Sequence, residues 1–221
     1  MNLILWDNDG VLVDTERLYF QATQDVLAEV DFELSMEDYI ELLLVQARGV
    51  WHLLEGNGYS DDDIAAMKRR RDARYADYLA SEPILIDGVR EVLDQLHGRF
   101  AMGIVTSSLR HHFEIIHART GLLDYFDFVI ANEDVTRSKP DPEPYVTALK
   151  KAGAKPEDAV AVEDSERGLI AARGAGVDCY IIPTKLTRQS NFEGALEILE
   201  NISKVPKRIQ ARGFAGPCRK D

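Results

Sequence analysis

The stretch LILWDNDGVLVDTE occupies residues 3–16, and its apolar opening, which ends at Trp6, is typical of a fully buried strand. Asp7 and Asp9 follow at once, before Gly10. Two carboxylates at the end of a buried strand repel each other and lose hydration, and a bound cation is the simplest compensation. Mg²⁺ prefers oxygen ligands of this kind. Taken alone, the stretch is equally compatible with an ordinary Asp-Gly turn.

Length and composition limit the class of protein. The chain has 221 residues, of which 45% are hydrophobic, and its formal net charge is −12. These values predict a globular protein with one large domain, or a domain with an insertion. So acidic a chain is a poor candidate for nucleic-acid binding, although a local cation can still attract an anionic small molecule.

Cysteine usage and hydropathy favour a cytoplasmic protein. Because the two cysteines are Cys179, near a predicted strand, and Cys218, in a polar segment, we expect neither a disulfide framework nor a cysteine metal site. No apolar stretch reaches the length of a membrane span, and the first strand begins too early to leave room for a signal peptide. We therefore expect a cytoplasmic protein without membrane association, as a monomer or weak homodimer.

The pattern of apolar residues changes once along the chain. Residues 15–81 carry helical signals and no good strand: Leu18, Ala22 and Val26 lie at steps of four, and Ser60 precedes a predicted helix over 61–80. From Pro83 onward, helices and strands alternate. The predicted strands cover 100–105, 128–131, 159–162 and 179–182, and the predicted helices cover 87–97, 109–120, 142–152, 165–174 and 192–202.

This alternation predicts an α/β fold, a Rossmann-like parallel sheet with helices on both faces, into which an all-helical segment is inserted. The predicted domains are a core of residues 1–14 and 82–203 and a helical cap of residues 15–81. Residues 204–221 are rich in Lys and Arg, lack periodicity and are predicted to form a disordered tail.

Polar side chains follow four of the predicted strands. They are Asp7 and Asp9, then Thr106, Ser107 and Ser108, then Ser138 and Lys139, and finally Glu163 and Asp164. The C-terminal ends of parallel strands face one side of the sheet, where ligands bind. Carboxylates there can hold Mg²⁺, hydroxyls and a lysine can hold a phosphate, and one carboxylate remains as a nucleophile. Each group alone is explained more simply, as a helix cap or an exposed strand end. It is improbable that these simple explanations all hold at once, at the matching ends of four strands.

The segments that contain these residues resemble the motifs of the haloacid dehalogenase superfamily, in its phosphatase and phosphomutase branch with a helical cap. In matching order and spacing, they are WDNDGVLVDTE at 6–16, VTSS at 105–108, SKPDP at 138–142 and VEDSERGLIAARGAG at 162–176. The resemblance covers about residues 1–200. It implies a Mg²⁺ cofactor and a small phosphorylated metabolite as substrate.

The resemblance also implies a role for each motif residue. Asp7 would be the nucleophile that forms an aspartyl-phosphate, and Asp9 would protonate the leaving group and then activate water. Lys139 would neutralise charge on Asp7 and on the phosphate. Thr106, the fourth implied catalytic residue, would hold the phosphoryl oxygens together with the backbone at Ser107. The other implied phosphate-binding residues are Ser107, Ser108 and Ser138, and the implied Mg²⁺ ligands are Asp7, Asp9 through its backbone carbonyl, Glu163 and Asp164.

The cap carries fewer signals about the substrate. Arg48 stands where relatives use an arginine on a distal phosphate, and Arg71, in the basic run 68–71, is the second cap residue predicted to bind substrate. The alternative for the basic run is a solvated helix face that pairs with nearby aspartates. Tyr19 stands where sugar-phosphate mutases carry a histidine that assists proton transfer, which counts against a mutase.

Three functions remain open from the sequence. The leading hypothesis is a Mg²⁺-dependent phosphatase for a small phosphorylated metabolite, a sugar phosphate being one candidate. The alternative is a hexose-phosphate mutase of the β-phosphoglucomutase kind. The third is a ligand-binding relative without turnover, which the intact set Asp7, Asp9, Lys139 and Asp164 disfavours. Asp9 also argues against a dehalogenase, because displacement of halide needs no proton.

Overall fold

The computed structural model describes residues 2–45, 49–55 and 57–213. The chain divides into two units, which we call the core unit (Met1–Asp14 with Ile84–Asp221) and the helical unit (Thr15–Pro83). The helical unit is thus an insertion in the sequence of the core unit.

The helical unit contains the helices α1 (Glu16–Ala28), α2 (Met36–Tyr39) and α3 (Asp61–Ser81). The residues at steps of four on α1, Leu18, Ala22 and Val26, are buried, as an amphipathic helix requires. At the start of α3, the Ser60 hydroxyl accepts from the Asp63 N–H at 3.2 Å, and the Asp63 carboxylate accepts from the Ser60 N–H at 2.9 Å. This reciprocal capping box satisfies two N–H groups that the helix leaves open.

The core unit contains a six-stranded sheet in which every strand pairing is parallel. Its strands are β1 (Leu3–Trp6), β2 (Ala101–Val105), β3 (Phe128–Ile130), β4 (Ala159–Glu163), β5 (Asp178–Ile181) and β6 (Glu197–Ile198). The strand order is β3-β2-β1-β4-β5-β6, so β1 lies between β2 and β4. Both β1 and β4 are buried over their whole length, as expected for strands covered on both faces. The predicted α/β fold is confirmed.

Helices lie between the strands of the core unit, and one more helix follows the last strand. They are α4 (Val89–Leu96), α5 (Arg110–Thr120), α6 (Glu143–Ala152), α7 (Glu166–Gly174) and α8 (Val205–Ala211). Among the helices in the described part of the chain, none combines the length and the apolar composition that crossing a membrane requires.

The C-terminal part of the core unit differs from the prediction. In place of a helix over 192–202, the chain forms the edge strand β6. The Leu196 N–H donates to the Cys179 carbonyl at 2.8 Å, and the Leu199 N–H donates to the Ile181 carbonyl at 2.7 Å. The open edge of β5 offers backbone partners that a helix in this segment would leave unpaired, and this outweighs local helical spacing.

The prediction of a disordered tail from residue 204 is wrong for its first part, because residues 205–211 form α8. Val205 and Ile209, four residues apart, are buried, and Arg208 makes two hydrogen bonds with the Glu197 carboxylate at 2.6 and 2.5 Å. Two apolar residues at helical spacing outweigh the basic composition here. Residues 214–221 lie outside the described part of the chain.

Candidate active site

The register of the central strands brings Asp7 and Glu163 together. Trp6 pairs with Val162 of β4, and the Asp7 N–H donates to the Val162 carbonyl at 2.9 Å. Because the parallel pairing continues past the end of β1, Asp7 lies level with Glu163 at the C-terminal edge of the sheet. Thr106 follows β2 at this edge, since Trp6 also pairs with Ile104. This is the edge at which ligands of parallel sheets bind.

Lys139 reaches the same edge from the loop between β3 and α6, and its side chain is buried. Its ammonium group has an acceptor for each of its three hydrogens: Asp7 Oδ1 at 2.8 Å, Glu163 Oε1 at 2.6 Å and the Val105 carbonyl at 2.8 Å. The Tyr145 hydroxyl on α6 donates to the same Glu163 oxygen at 2.5 Å. The lysine is therefore fixed between the two carboxylates.

The buried cluster of Asp7, Glu163 and Lys139 has more negative than positive charge. Burial, and then the Glu163 carboxylate, raise the pKa of Asp7 from 3.8 to about 8, against the opposing effect of Lys139. Burial favours the neutral form of Lys139, but Asp7 and Glu163 outweigh it and raise its pKa. The raised pKa of Lys139 favours its charged form and an ion pair with Asp7, whereas the raised pKa of Asp7 disfavours the carboxylate anion of that pair. Two carboxylates that share one ammonium explain both, since the cation is firmly held and one carboxylate is under-compensated.

A divalent cation would restore the balance, and the donor atoms here suit Mg²⁺. Carboxylate oxygens of Asp7, Glu163 and Asp164, all buried, lie within 4.8 Å of one another. Two glycines leave room for them: a Cβ atom on Gly10 would lie 2.4 Å from Asp164 Oδ2, and one on Gly168 would lie 1.9 Å from Glu163 Oε2. An all-oxygen donor set is the kind that Mg²⁺ prefers, so the residues present fit the predicted ion.

The Asp9 carboxylate is held by neutral hydrogen-bond donors. Its Oδ2 accepts from the Ser108 hydroxyl at 2.7 Å, from the Thr106 hydroxyl at 3.2 Å and from the Asn8 amide at 3.2 Å. The Ser108 N–H donates to Thr106 Oγ1 at 3.0 Å and fixes the loop after β2. The structure thus brings the predicted catalytic residues to one edge of the sheet, in two groups: Asp7 with Lys139, and Asp9 with Thr106.

The family model for haloacid dehalogenase-like hydrolases matches residues 4–182, which include all four polar strand ends. The chain belongs to the haloacid dehalogenase-like hydrolase family. The family predicted from the four motifs is confirmed.

Relatives in the haloacid dehalogenase-like family include named phosphatases. CbbY from Rhodobacter capsulatus is 32% identical over 206 residues, which cover 88% of this chain and 91% of that protein. Fructose-1-phosphate phosphatase YqaB from Escherichia coli is 30% identical over 181 residues, covering 79% and 93%. The crystal structure of a CbbY variant from Rhodobacter sphaeroides in complex with xylulose-1,5-bisphosphate is similar at a TM-score of 0.80 and 28% identity, covering 92% and 96%. The predicted enzyme class, a phosphoric monoester hydrolase, is confirmed.

Two of the predicted phosphate-binding serines flank this haloacid dehalogenase-like site. Ser107 is exposed and follows Thr106, and Ser138 is half-buried and precedes Lys139. The Ser138 carbonyl accepts from the Asp141 N–H at 3.1 Å, which closes a turn next to the lysine.

The cap arginines have different outcomes. Arg48 lies outside the described residues. Arg71 is buried within the helical unit, where it donates to the Tyr19 hydroxyl and, at 2.8 Å, to the Asp72 carboxylate. Residues 68–70 are exposed, and Arg70 pairs with Glu29 at 3.0 Å. The basic run is therefore a solvated face over its first three residues and a buried, partnered arginine at the fourth.

Three residues of the site were not predicted. Asn8 and His117 are buried and hydrogen-bonded to each other, with His117 Nε2 2.8 Å from Asn8 Oδ1, and Tyr145 supports Glu163. A polar Asn at the end of a buried strand and a His among the apolar residues of α5 were available signals. Their partnership was not available, because only the fold brings them together.

Proposed function

We propose that the chain is a Mg²⁺-dependent phosphatase that hydrolyses the monoester of a small phosphorylated metabolite through an aspartyl-phosphate on Asp7. One observation carries the proposal: Asp7 is a buried carboxylate in contact with Lys139, two residues before a second carboxylate that hydroxyl groups hold. In such a pair, one carboxylate can attack phosphorus while the other transfers a proton.

In the first half of the reaction, an oxygen of Asp7 attacks the phosphorus atom and the bond to the ester oxygen breaks. An alkoxide is a poor leaving group, so protonated Asp9 gives its proton to that oxygen as the bond breaks. The Lys139 ammonium, 2.8 Å from Asp7, offsets the negative charge that gathers around the nucleophile. The products are the free alcohol and phosphorylated Asp7.

In the second half, a water molecule attacks the phosphorus of the aspartyl-phosphate. Asp9 is then a carboxylate and takes a proton from this water while the bond between phosphorus and the Asp7 oxygen breaks. This step restores both aspartates and releases inorganic phosphate. The Thr106 and Ser108 hydroxyls suit both stages, because a hydroxyl can donate to the carboxylate and accept from the carboxylic acid.

Asp7, Asp164 and the backbone carbonyl of Asp9 are the proposed Mg²⁺ ligands. When bound, the ion supplies positive charge that stabilises the transferring phosphoryl group. The carboxylate oxygens within 4.8 Å of one another and the raised pKa of Asp7 support this assignment. Glu163 is the weaker candidate ligand, because its Oε1 already accepts from Lys139 and Tyr145.

A phosphorylated sugar is the proposed substrate class. The xylulose-1,5-bisphosphate in the CbbY variant and the fructose-1-phosphate phosphatase activity named for YqaB support it. The residues that remain proposed to bind substrate are Ser107, Ser108, Ser138, Arg48 and Arg71. The cytoplasmic location and the state of monomer or weak homodimer also stay predictions.

The test is a panel of phosphate monoesters, assayed with Mg²⁺ and with EDTA for the wild type and for Asp7→Asn. We expect phosphate release only from the wild type with Mg²⁺. Activity in EDTA, or turnover that survives Asp7→Asn, would overturn the mechanism.

A mutase of the β-phosphoglucomutase kind would use the same two aspartates, so the product decides between the functions. Burial raises the pKa of the Tyr19 hydroxyl, in spite of the opposing effect of Arg71, and such a phenol is a poor proton carrier at neutral pH. With β-glucose 1-phosphate and a bisphosphate primer, we therefore expect inorganic phosphate. Glucose 6-phosphate would identify a mutase.

A further inference from the structure

A buried series of hydrogen bonds runs from His117 on α5 through Asn8 to Asp9. The proposed reaction uses Asp9 but assigns no role to Asn8 or His117. Asn8 and His117 are 0% and 3% exposed. His117 Nε2 lies 2.8 Å from Asn8 Oδ1, and Asn8 Nδ2 donates to Asp9 Oδ2 at 3.2 Å. At the other end, His117 Nδ1 lies 2.8 Å from Thr120 Oγ1, which accepts from the Leu122 N–H at 3.3 Å.

The chemistry of the groups decides which atom donates in each of these hydrogen bonds. Because a carboxylate only accepts, Asn8 turns its amide nitrogen to Asp9 and its Oδ1 to His117. His117 then carries its hydrogen on Nε2, and its Nδ1 accepts from the Thr120 hydroxyl. Burial lowers the pKa of His117 to about 4, so the ring is neutral at about pH 7, as this arrangement requires.

Burying these hydrogen-bonded polar groups at the end of a strand costs more free energy than burying an apolar side chain would. An apolar side chain at residue 8 would need no partner, whereas a buried amide must be hydrogen-bonded on both its oxygen and its nitrogen. The amide nitrogen of Asn8 faces Asp9, and the amide oxygen faces His117. The arrangement therefore connects a helix position to the orientation of a carboxylate in the site.

We propose that His117, acting through Asn8, is a positioning residue that orients the Asp9 carboxylate for proton transfer. The proposal rests on the phosphatase chemistry above. Three donors converge on Oδ2 of Asp9 and fix the plane of its carboxyl group. Without His117, the Asn8 amide loses the bond that holds its oxygen away from Asp9 and no longer keeps its nitrogen in place.

The test compares two esters that differ in their need for a proton. The alkoxide of an alkyl phosphate must be protonated as it leaves, whereas the p-nitrophenolate of p-nitrophenyl phosphate leaves readily without a proton. The alkyl ester for this test is whichever alkyl phosphate the wild type hydrolyses fastest in the panel of phosphate monoesters. The ratio kcat/KM reports the steps up to phosphorylation of Asp7, so it isolates the acid role of Asp9.

An Asp9→Asn variant calibrates the assay, with a loss of about 10²–10⁴-fold in kcat/KM for the alkyl ester and a smaller loss for the aryl ester. For His117→Leu we expect a loss of about 10-fold for the alkyl ester and less than about 3-fold for the aryl ester. His117→Gln should restore the alkyl activity, because its amide nitrogen can donate to Asn8. Ile116→Val, at a buried neighbour on α5, is the control and should affect both esters equally.

Should His117→Leu fail to fold, Thr120→Val replaces the hydroxyl that bonds His117 with a methyl group. It should show the same selectivity between the two esters, with smaller losses. ¹⁵N NMR of the wild type should show a neutral His117 with its hydrogen on Nε2. Equal losses on the two esters in folded variants, or hydrogen on Nδ1 of His117, would overturn the proposal while the phosphatase function stands. A wild type that hydrolyses neither ester would overturn the phosphatase function and the positioning role with it.

Discussion

Replacement of Lys139 by methionine tests the buried cluster at its one positive charge. The change keeps a long apolar stem and removes an ammonium that bonds Asp7 at 2.8 Å, Glu163 at 2.6 Å and the Val105 carbonyl at 2.8 Å. Three acceptors are left without this donor, and two of them are carboxylates. Removal of one partner from a buried ion pair costs about 3–5 kcal/mol, because the remaining charge is uncompensated.

For a chain of 221 residues, this loss corresponds to a fall in Tm of roughly 6–20 °C, since about 1 kcal/mol shifts Tm by about 2–4 °C in proteins of this size. Thermal melting and urea unfolding without added metal measure the effect. Lys150→Met makes the same chemical change at an exposed position of α6 and should alter stability by less than about 0.5 kcal/mol.

A second variant separates charge from packing. Lys139→Met combined with Glu163→Gln removes one buried carboxylate together with the ammonium, so part of the lost stability should return while phosphatase activity stays absent. A Lys139→Met protein that melts with the wild type would refute the view that this lysine balances a buried acidic cluster. So would a double variant less stable than the sum of the two single changes.

Two further predictions concern the proposed Mg²⁺ site. Gly10 (φ +85°) and Gly98 (φ +73°) share the left-handed backbone, but only at Gly10 would a Cβ atom reach Asp164. Gly98→Ala should therefore cost about 1–2 kcal/mol of stability and keep its kcat/KM, whereas Gly10→Ala should cost more stability and lose most of its kcat/KM. Equal activities of the two variants would contradict this. Burial and Glu163 raise the pKa of Asp7 from 3.8 to about 8, so between these values the folded metal-free protein binds more protons than the unfolded chain. Its Tm in EDTA should therefore fall as pH rises from about 4 to about 8. Mg²⁺ should raise the Tm more at the upper end of this pH range, where Asp7 has already lost its proton in a larger fraction of the molecules. If Asp7→Asn keeps the full dependence of Tm on pH, that dependence comes from other groups.

The strand ends were predictable because their signals are local. An apolar run that breaks into Asp7 and Asp9 marks both a buried strand and the residues just beyond it, and the same logic finds Thr106 and Glu163. Parallel topology then implies that these residues share one edge of the sheet. The registers of β1 with β2 and β4 agree with this inference.

The unpredicted features depend on contacts between distant parts of the chain. His117 and Asn8 are 109 residues apart, and no local pattern pairs them. Gly168 lies on α7, and its missing side chain makes room for the Glu163 carboxylate of β4. Likewise, β6 forms in the segment predicted as a helix because β5 offers an open edge.

We predict that Asp7 carries the phosphoryl group during turnover. The most direct measurement is acid quench of the enzyme within the first turnover, with its alkyl phosphate and Mg²⁺, followed by mass spectrometry of the peptide that contains Asp7. We predict a phosphorylated Asp7 that is absent in EDTA and absent from Asp7→Asn. Rapid turnover with no phosphate on this peptide, or phosphate on another residue, would contradict the mechanism.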